Sequence, residues 1–128
     1  MNYCLDSWAV IAWMDGQEPS AAIVESVISE RPFFCVVNAT EIYYITRRRH
    51  GELEAQRIVN TLRVLTRFVP VDEPLAILAG VIKSMHPMSL GDSYCAATAI
   101  QKQAQVLTGD PELMVAKSEW KVRDIRKK

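Results

Sequence analysis

Four acidic residues stand at places in this sequence where a carboxylate could do chemistry. Asp6 follows the apolar run Tyr3-Cys4-Leu5, and Asp110 comes two residues after Val106-Leu107-Thr108. Glu41 closes Asn38-Ala39-Thr40-Glu41 behind Phe33-Phe34-Cys35-Val36-Val37, and Asp92 opens the small-residue stretch Ser93 to Ile100. Singly, each has an inexpensive structural role. Asp6 and Asp92 suit helix N-caps, Asn38 to Glu41 is a variant capping box, and Asp110-Pro111 is a turn or cap. Together they repel one another, and capping requires no convergence. Oxygen donors gathered at one point suit a hard divalent cation, Mg²⁺ or Mn²⁺. A cation so placed activates water and offsets charge on a phosphate. Nearby helix N-termini favour the ionised carboxylates.

The elements that must carry these acids can be read in order. Tyr3-Cys4-Leu5 predicts a short buried strand, and Trp8 to Met14 a helix ending at Asp15-Gly16. Pro19 begins a second helix, with Ala22, Ile23 and Val27 as its apolar positions. Phe33 to Val37 predicts a strand, Ala39 to His50 a helix stopped by Gly51, and Glu52 to Thr66 a helix with Ala55, Ile58, Val59, Leu62 and Leu65 on one face. Arg67 to Val71 reads as an edge strand, given its proline. Glu73 to Lys83 is apolar nearly all round and predicts a buried helix; Ser84 to Leu90 reads as a loop. The Ala96-Ala97-Thr98-Ala99 helix and the 106–108 strand follow, and Trp120 to Ile125 alternates as a last edge strand before a solvated tail. Strands alternating with helices imply an α/β domain with a mainly parallel sheet. In such sheets functional groups gather beyond the carboxyl ends of the strands, where these acids fall.

The ordered set resembles the PIN-domain ribonucleases. It consists of Asp6-Ser7, Asn38-x-x-Glu41, Leu90-x-Asp92 with its alanine-rich helix, and Thr108-x-Asp110-x-Glu112-Leu113. Within that family it is most similar to VapC, the toxin of VapBC toxin–antitoxin modules. The resemblance implies one PIN-like domain over residues 1–128, three-layered, with strand order 3-2-1-4-5. It implies Mg²⁺- or Mn²⁺-dependent hydrolysis of RNA phosphodiesters, with Asp6, Glu41, Asp92 and Asp110 as metal-binding and catalytic acids. Ser7, Thr108 and the additional acid Glu112 would support them. It also implies a VapB-like antitoxin partner and a homodimer. Two other readings stand beside it: a PIN nuclease for RNA processing without an antitoxin, and a non-catalytic binding module on the same scaffold.

The remaining features bound the function. Fifteen Lys and Arg against fifteen Asp and Glu give zero net charge. Setting the four acids aside leaves eleven acids against fifteen bases, which permits a polyanion partner. Arg47-Arg48-Arg49-His50 complements a helix C-terminus, or else grips RNA phosphates. Lys83, Lys102 and Lys117 read as solvated, as does Asp124. His50 and His86 lack a partner at metal-ligand spacing, Ser7 and Ser93 lack a paired histidine, and no glycine-rich phosphate loop occurs. A response-regulator receiver would need an acidic dipeptide near the first strand, and Leu5-Asp6-Ser7 has none. Cys4, Cys35 and Cys95 predict reduced core thiols, and Met1 to Asp6 has no export signal, so a cytoplasmic protein is expected. Trp8, Ile11, Trp13 and Met14 crowd the first helix, so one or two of them are expected at a partner surface.

Overall fold

The strands are short because each crosses the core once, between layers of helix. In the computed structural model, which describes residues 1–115 and 118–128, five parallel strands form one sheet. They are β1 (Tyr3–Leu5), β2 (Phe33–Cys35), β3 (Arg67–Val69), β4 (Gln105–Thr108) and β5 (Lys121–Asp124), in the order β3-β2-β1-β4-β5. Successive strand residues face opposite sides of the sheet. Leu5, Phe34 and Leu107 thus enter one apolar cluster, while Cys4, Cys35 and Val106 enter the other.

Six helices cover the two faces: α1 (Ser7–Met14), α2 (Ser20–Val27), α3 (Val36–His50), α4 (Glu52–Leu65), α5 (Glu73–Met85) and α6 (Leu90–Lys102). The first four supply Val10, Val24, Ile42 and Leu62 to one cluster. The other two supply Leu75, Ile82 and Ala96 to the second, giving three layers. Cys95, Ala96, Ala97 and Ala99 of α6 are buried, so small side chains let this helix lie close against β1 and β2. A leucine at Ala96 would overpack that contact, at about 1–3 kcal/mol. All three cysteines are buried and free, in keeping with core thiols.

Several boundaries depart from the sequence pattern. The apolar run Phe33 to Val37 is strand only to Cys35; Val36 and Val37 already belong to α3. Asn38 is therefore the third residue of a helix, and Glu41 the sixth, so no capping box forms. The predicted strand to Val71 stops at Val69, which leaves Pro70 outside an edge strand. On α2, Ala22 is exposed and Val24 is buried in its place. Helix α5 is not buried all round: Ile77 is 63% exposed and Val81 48%, because only its Leu75, Ala79 and Ile82 edge meets the core. Helix α6 begins at Leu90, capped by Ser89, not by Asp92. Among the described residues no helix is long and apolar enough to cross a membrane.

The strand order reverses at β1, which has β2 on one side and β4 on the other. The carboxyl ends of β1 and β4 thus border a crevice at the switch point. Asp6 follows β1 directly, and Asp110 follows β4 by two residues.

Candidate functional site

Carboxylate oxygens of Asp6, Asp92 and Asp110 all lie within 4.8 Å of one another. Three separate elements deliver them. Asp6 caps α1: its Oδ1 accepts from the Ala9 N–H at 2.8 Å. Its second oxygen, Oδ2, accepts from the Thr108 hydroxyl at the end of β4. Asp92 sits in the first turn of α6, where its own N–H donates to Ser89 Oγ at 3.1 Å. Asp110 donates its N–H to Thr108 Oγ1 at 2.9 Å, and its Oδ1 accepts from the Glu112 N–H at 3.0 Å. Thr108 thus joins two of the three acids through one hydroxyl.

The electrostatics are those of a crowded anionic site. Asp6 is buried, and its pKa rises from 3.8 to about 7. Desolvation is the main cause and the Asp110 carboxylate adds to it, while the Thr108 and Ala9 hydrogen bonds oppose it. Asp92 is pushed up further, first by burial and then by the carboxylates of Asp110, Glu112 and Asp6. Among the described residues its buried Oδ2 has no hydrogen-bond partner. A buried acceptor left unmatched is costly, and the all-oxygen donor set matches what Mg²⁺ or Mn²⁺ takes. The residues present therefore fit a divalent cation.

Glu41 is arranged differently. It lies outside the three-carboxylate group, in the second turn of α3, and its Oε1 accepts from Ser7 Oγ at 2.6 Å and from Asn38 Nδ2 at 3.1 Å. Asn38 Nδ2 also donates to the Gly91 carbonyl at 3.1 Å. Glu41 is therefore held by Ser7, the residue after Asp6, and packs against the backbone of Gly91, the residue before Asp92. Glu112, which reads in the sequence as a supporting acid, accepts from the Ser89 N–H at 3.2 Å and so ties the turn after Asp110 to the start of α6.

The basic run closes α3 away from these acids. Arg47 pairs with Glu52, Arg49 lies 3.8 Å from Asp15, and Arg48 stacks 5.1 Å over the Tyr44 ring. Each has a local partner, which suits the helix-end reading of the sequence. Asp124 pairs with Arg126 at 2.9 Å, which holds its carboxyl below the usual range. His50 is exposed, while His86 is half-buried, edge-on to Trp120 at 5.1 Å. Lys83 donates to the Met88 carbonyl at 2.8 Å, and Lys117 lies outside the described residues.

Two residues of this region escape a reading of the sequence alone: Asn38 beyond its capping role, and Gly91. Gly91 leaves a local signal, since glycine is a poor helix former.

The fold belongs to a known class. The family model for the PIN domain matches residues 3–117, and the chain is a member of that family. Among solved structures, the chain is similar to VapBC-1 from nontypeable Haemophilus influenzae, with 18% identity, TM-score 0.77, and coverage of 99% of this chain and 100% of that one. It is similar to DNA-bound VapBC from Salmonella typhimurium, with 15% identity, TM-score 0.78 and coverage of 97% and 98%. It is also similar to VapC20 from Mycobacterium tuberculosis, described as a sarcin-ricin loop cleaving toxin, with 15% identity, TM-score 0.70 and coverage of 88% and 92%. No curated protein matches the chain.

Proposed function

We propose that this chain is a divalent-cation-dependent endoribonuclease and the toxin member of a toxin–antitoxin pair. The observation that carries the reading is the set of three carboxylates within 4.8 Å, two just after β1 and β4 and one in α6, the last with a buried oxygen unpartnered among the described residues. A scaffold that used these acids only as caps would not need them to meet.

In this reading Asp6, Asp92 and Asp110 hold Mg²⁺ or Mn²⁺, and Glu41 is the fourth acid of the site. When bound, the cation lowers the pKa of water and offsets the charge on the scissile phosphate. The chain's own residues do the rest. Thr108 and the Ala9 N–H aim the two Asp6 oxygens, and the Glu112 N–H fixes Asp110. Ser7 holds Glu41 beside them. Glu112 locks the Asp110 turn against α6. Arg47, Arg48 and Arg49 are the RNA contacts in this reading, exchanging their local partners for phosphate oxygens.

The partner is a VapB-like antitoxin, the working form a homodimer, the compartment cytoplasmic, and the whole chain 1–128 one PIN-like domain. The VapBC complexes among the similar structures support the antitoxin partner, and the PIN match over residues 3–117 supports the single domain. The test is Asp92→Asn. The variant should fold, because the lost charge is one that burial disfavours, and it should lose Mg²⁺-dependent cleavage of total RNA. A folded variant with undiminished cleavage would remove Asp92 from the chemistry.

A further inference from the structure

Asn38 is fully buried as the third residue of α3, where its side chain caps no backbone N–H. Its amide is not free to flip, because the two groups facing Nδ2 are both acceptors: Glu41 Oε1 and the Gly91 carbonyl, each at 3.1 Å. Its Oδ1 is buried with no hydrogen-bond partner among the described residues. An unmatched buried acceptor is a local cost.

Gly91 is the second such choice. It occupies the first turn of α6 at ordinary helical geometry, so no backbone requirement explains it. A Cβ there would lie 2.5 Å from Glu41 Oε1 and 3.0 Å from Glu41 Cδ. The carboxylate of α3 therefore rests directly on the backbone of α6, one residue before Asp92. Ser7 of α1 completes the arrangement at 2.6 Å. Elements α1, α3 and α6 meet at one oxygen.

We propose that Asn38 and Gly91 are positioning residues that together seat the Glu41 carboxylate, Asn38 by donating to it and Gly91 by leaving room for it. Glu41 Oε1 then has two protein donors, and Oε2 has none among the described residues. Oε2 is the oxygen left for the site. Glu41 is set by the protein before any cation arrives, whereas Asp92 keeps an oxygen that no described protein group satisfies. The role in catalysis rests on the nuclease reading above; the seating itself does not.

The experiment is a pair of double-variant cycles built on Glu41→Ala. Thermal unfolding is measured for wild type, Gly91→Ala, Glu41→Ala and the double variant. Alanine is the better helix former, so Gly91→Ala should raise Tm when the Glu41 side chain is gone and fail to raise it when that side chain is present. In parallel, cleavage of a labelled RNA oligonucleotide and Mn²⁺ affinity, read by electron paramagnetic resonance of free Mn²⁺, are measured for Asn38→Ala and Gly91→Ala. Each should lower kcat by roughly ten- to a hundredfold with KM little changed. Adding either to Glu41→Ala should cost nothing more. An equal Tm effect of Gly91→Ala in both backgrounds, or kcat losses that simply add to that of Glu41→Ala, would overturn the proposal. A wild type that neither cuts RNA nor binds Mn²⁺ would overturn the nuclease reading instead, and the Tm cycle would still decide the seating.

Discussion

Without divalent cations, raising the pH from about 5 to about 8 should lower the unfolding temperature of this protein, and Mg²⁺ should reverse the loss. The cause is Asp6. Its pKa in the folded state is about 7, against 3.8 for an unperturbed aspartate. The folded state therefore holds a proton that the unfolded chain releases. The stability linked to this shift is fully present below the unfolded value and is lost as pH rises through 7. Of the roughly three pKa units, about two fall inside this pH window, which is about 3 kcal/mol at most, at roughly 1.4 kcal/mol per unit. For a chain of this size that is roughly 8–15 °C in Tm. Asp92 shifts in the same direction and adds to the slope. The lowered Asp124 does not oppose it, because that group is already ionised throughout this window. A cation binds the deprotonated acids, so its stabilising increment should be small at about pH 5 and large at about pH 8. Differential scanning fluorimetry with EDTA or with excess Mg²⁺ across this range reads both effects, and Asp92→Asn should flatten the slope. A cation-free Tm that is level or rising with pH, or an equal Mg²⁺ increment at both ends, would refute the reasoning.

Two further substitutions probe how the site is held. Thr108→Val keeps the shape but removes the hydroxyl that donates to Asp6 and accepts from the Asp110 N–H. Chemical denaturation should register a loss of about 1–3 kcal/mol, with Mg²⁺-dependent cleavage reduced as well. Gly109→Ala drives a Cβ into the Trp8 ring at Cη2 and Cζ2, beside Asp110. It should destabilise by about 1–3 kcal/mol and change the tryptophan fluorescence, and Trp8→Ala in the same chain should recover part of the loss.

Much of the fold was legible because its signals are local. An apolar run halted by Asp6-Ser7 marks a strand end and a helix start, and the structure has both, with Asp6 as the cap. The alanines of α6 announce close packing, and they are buried. Where tertiary contacts decided, the pattern misled. Val36 and Val37 are β-branched and extend an apolar run, yet they begin α3, which moves Glu41 from a capping position to the sixth residue of the helix. Ser89 takes the cap at α6 because its hydroxyl reaches the Asp92 N–H, leaving the Asp92 carboxylate unspent on capping. An all-round apolar α5 reads as buried, but the core reaches only one of its edges.

The site itself was legible as residue types and chain order; its assembly was not. No local rule connects Asn38 to Gly91, fifty-three positions apart, or Thr108 to Asp6 across neighbouring strands. Their place after the strands of a parallel sheet supplied the expectation that the acids converge, and the resemblance to PIN domains agreed with it. The strand order, reversing at β1, is what brings Asp6 and Asp110 side by side.

The most direct test is to soak Mn²⁺ into crystals of the protein and locate it by anomalous scattering. The account predicts a peak bonded to oxygens of Asp6, Asp92 and Asp110, at about 2.0–2.2 Å. No peak in bonding reach of these three side chains, with Mn²⁺ bound elsewhere or not at all, would contradict it.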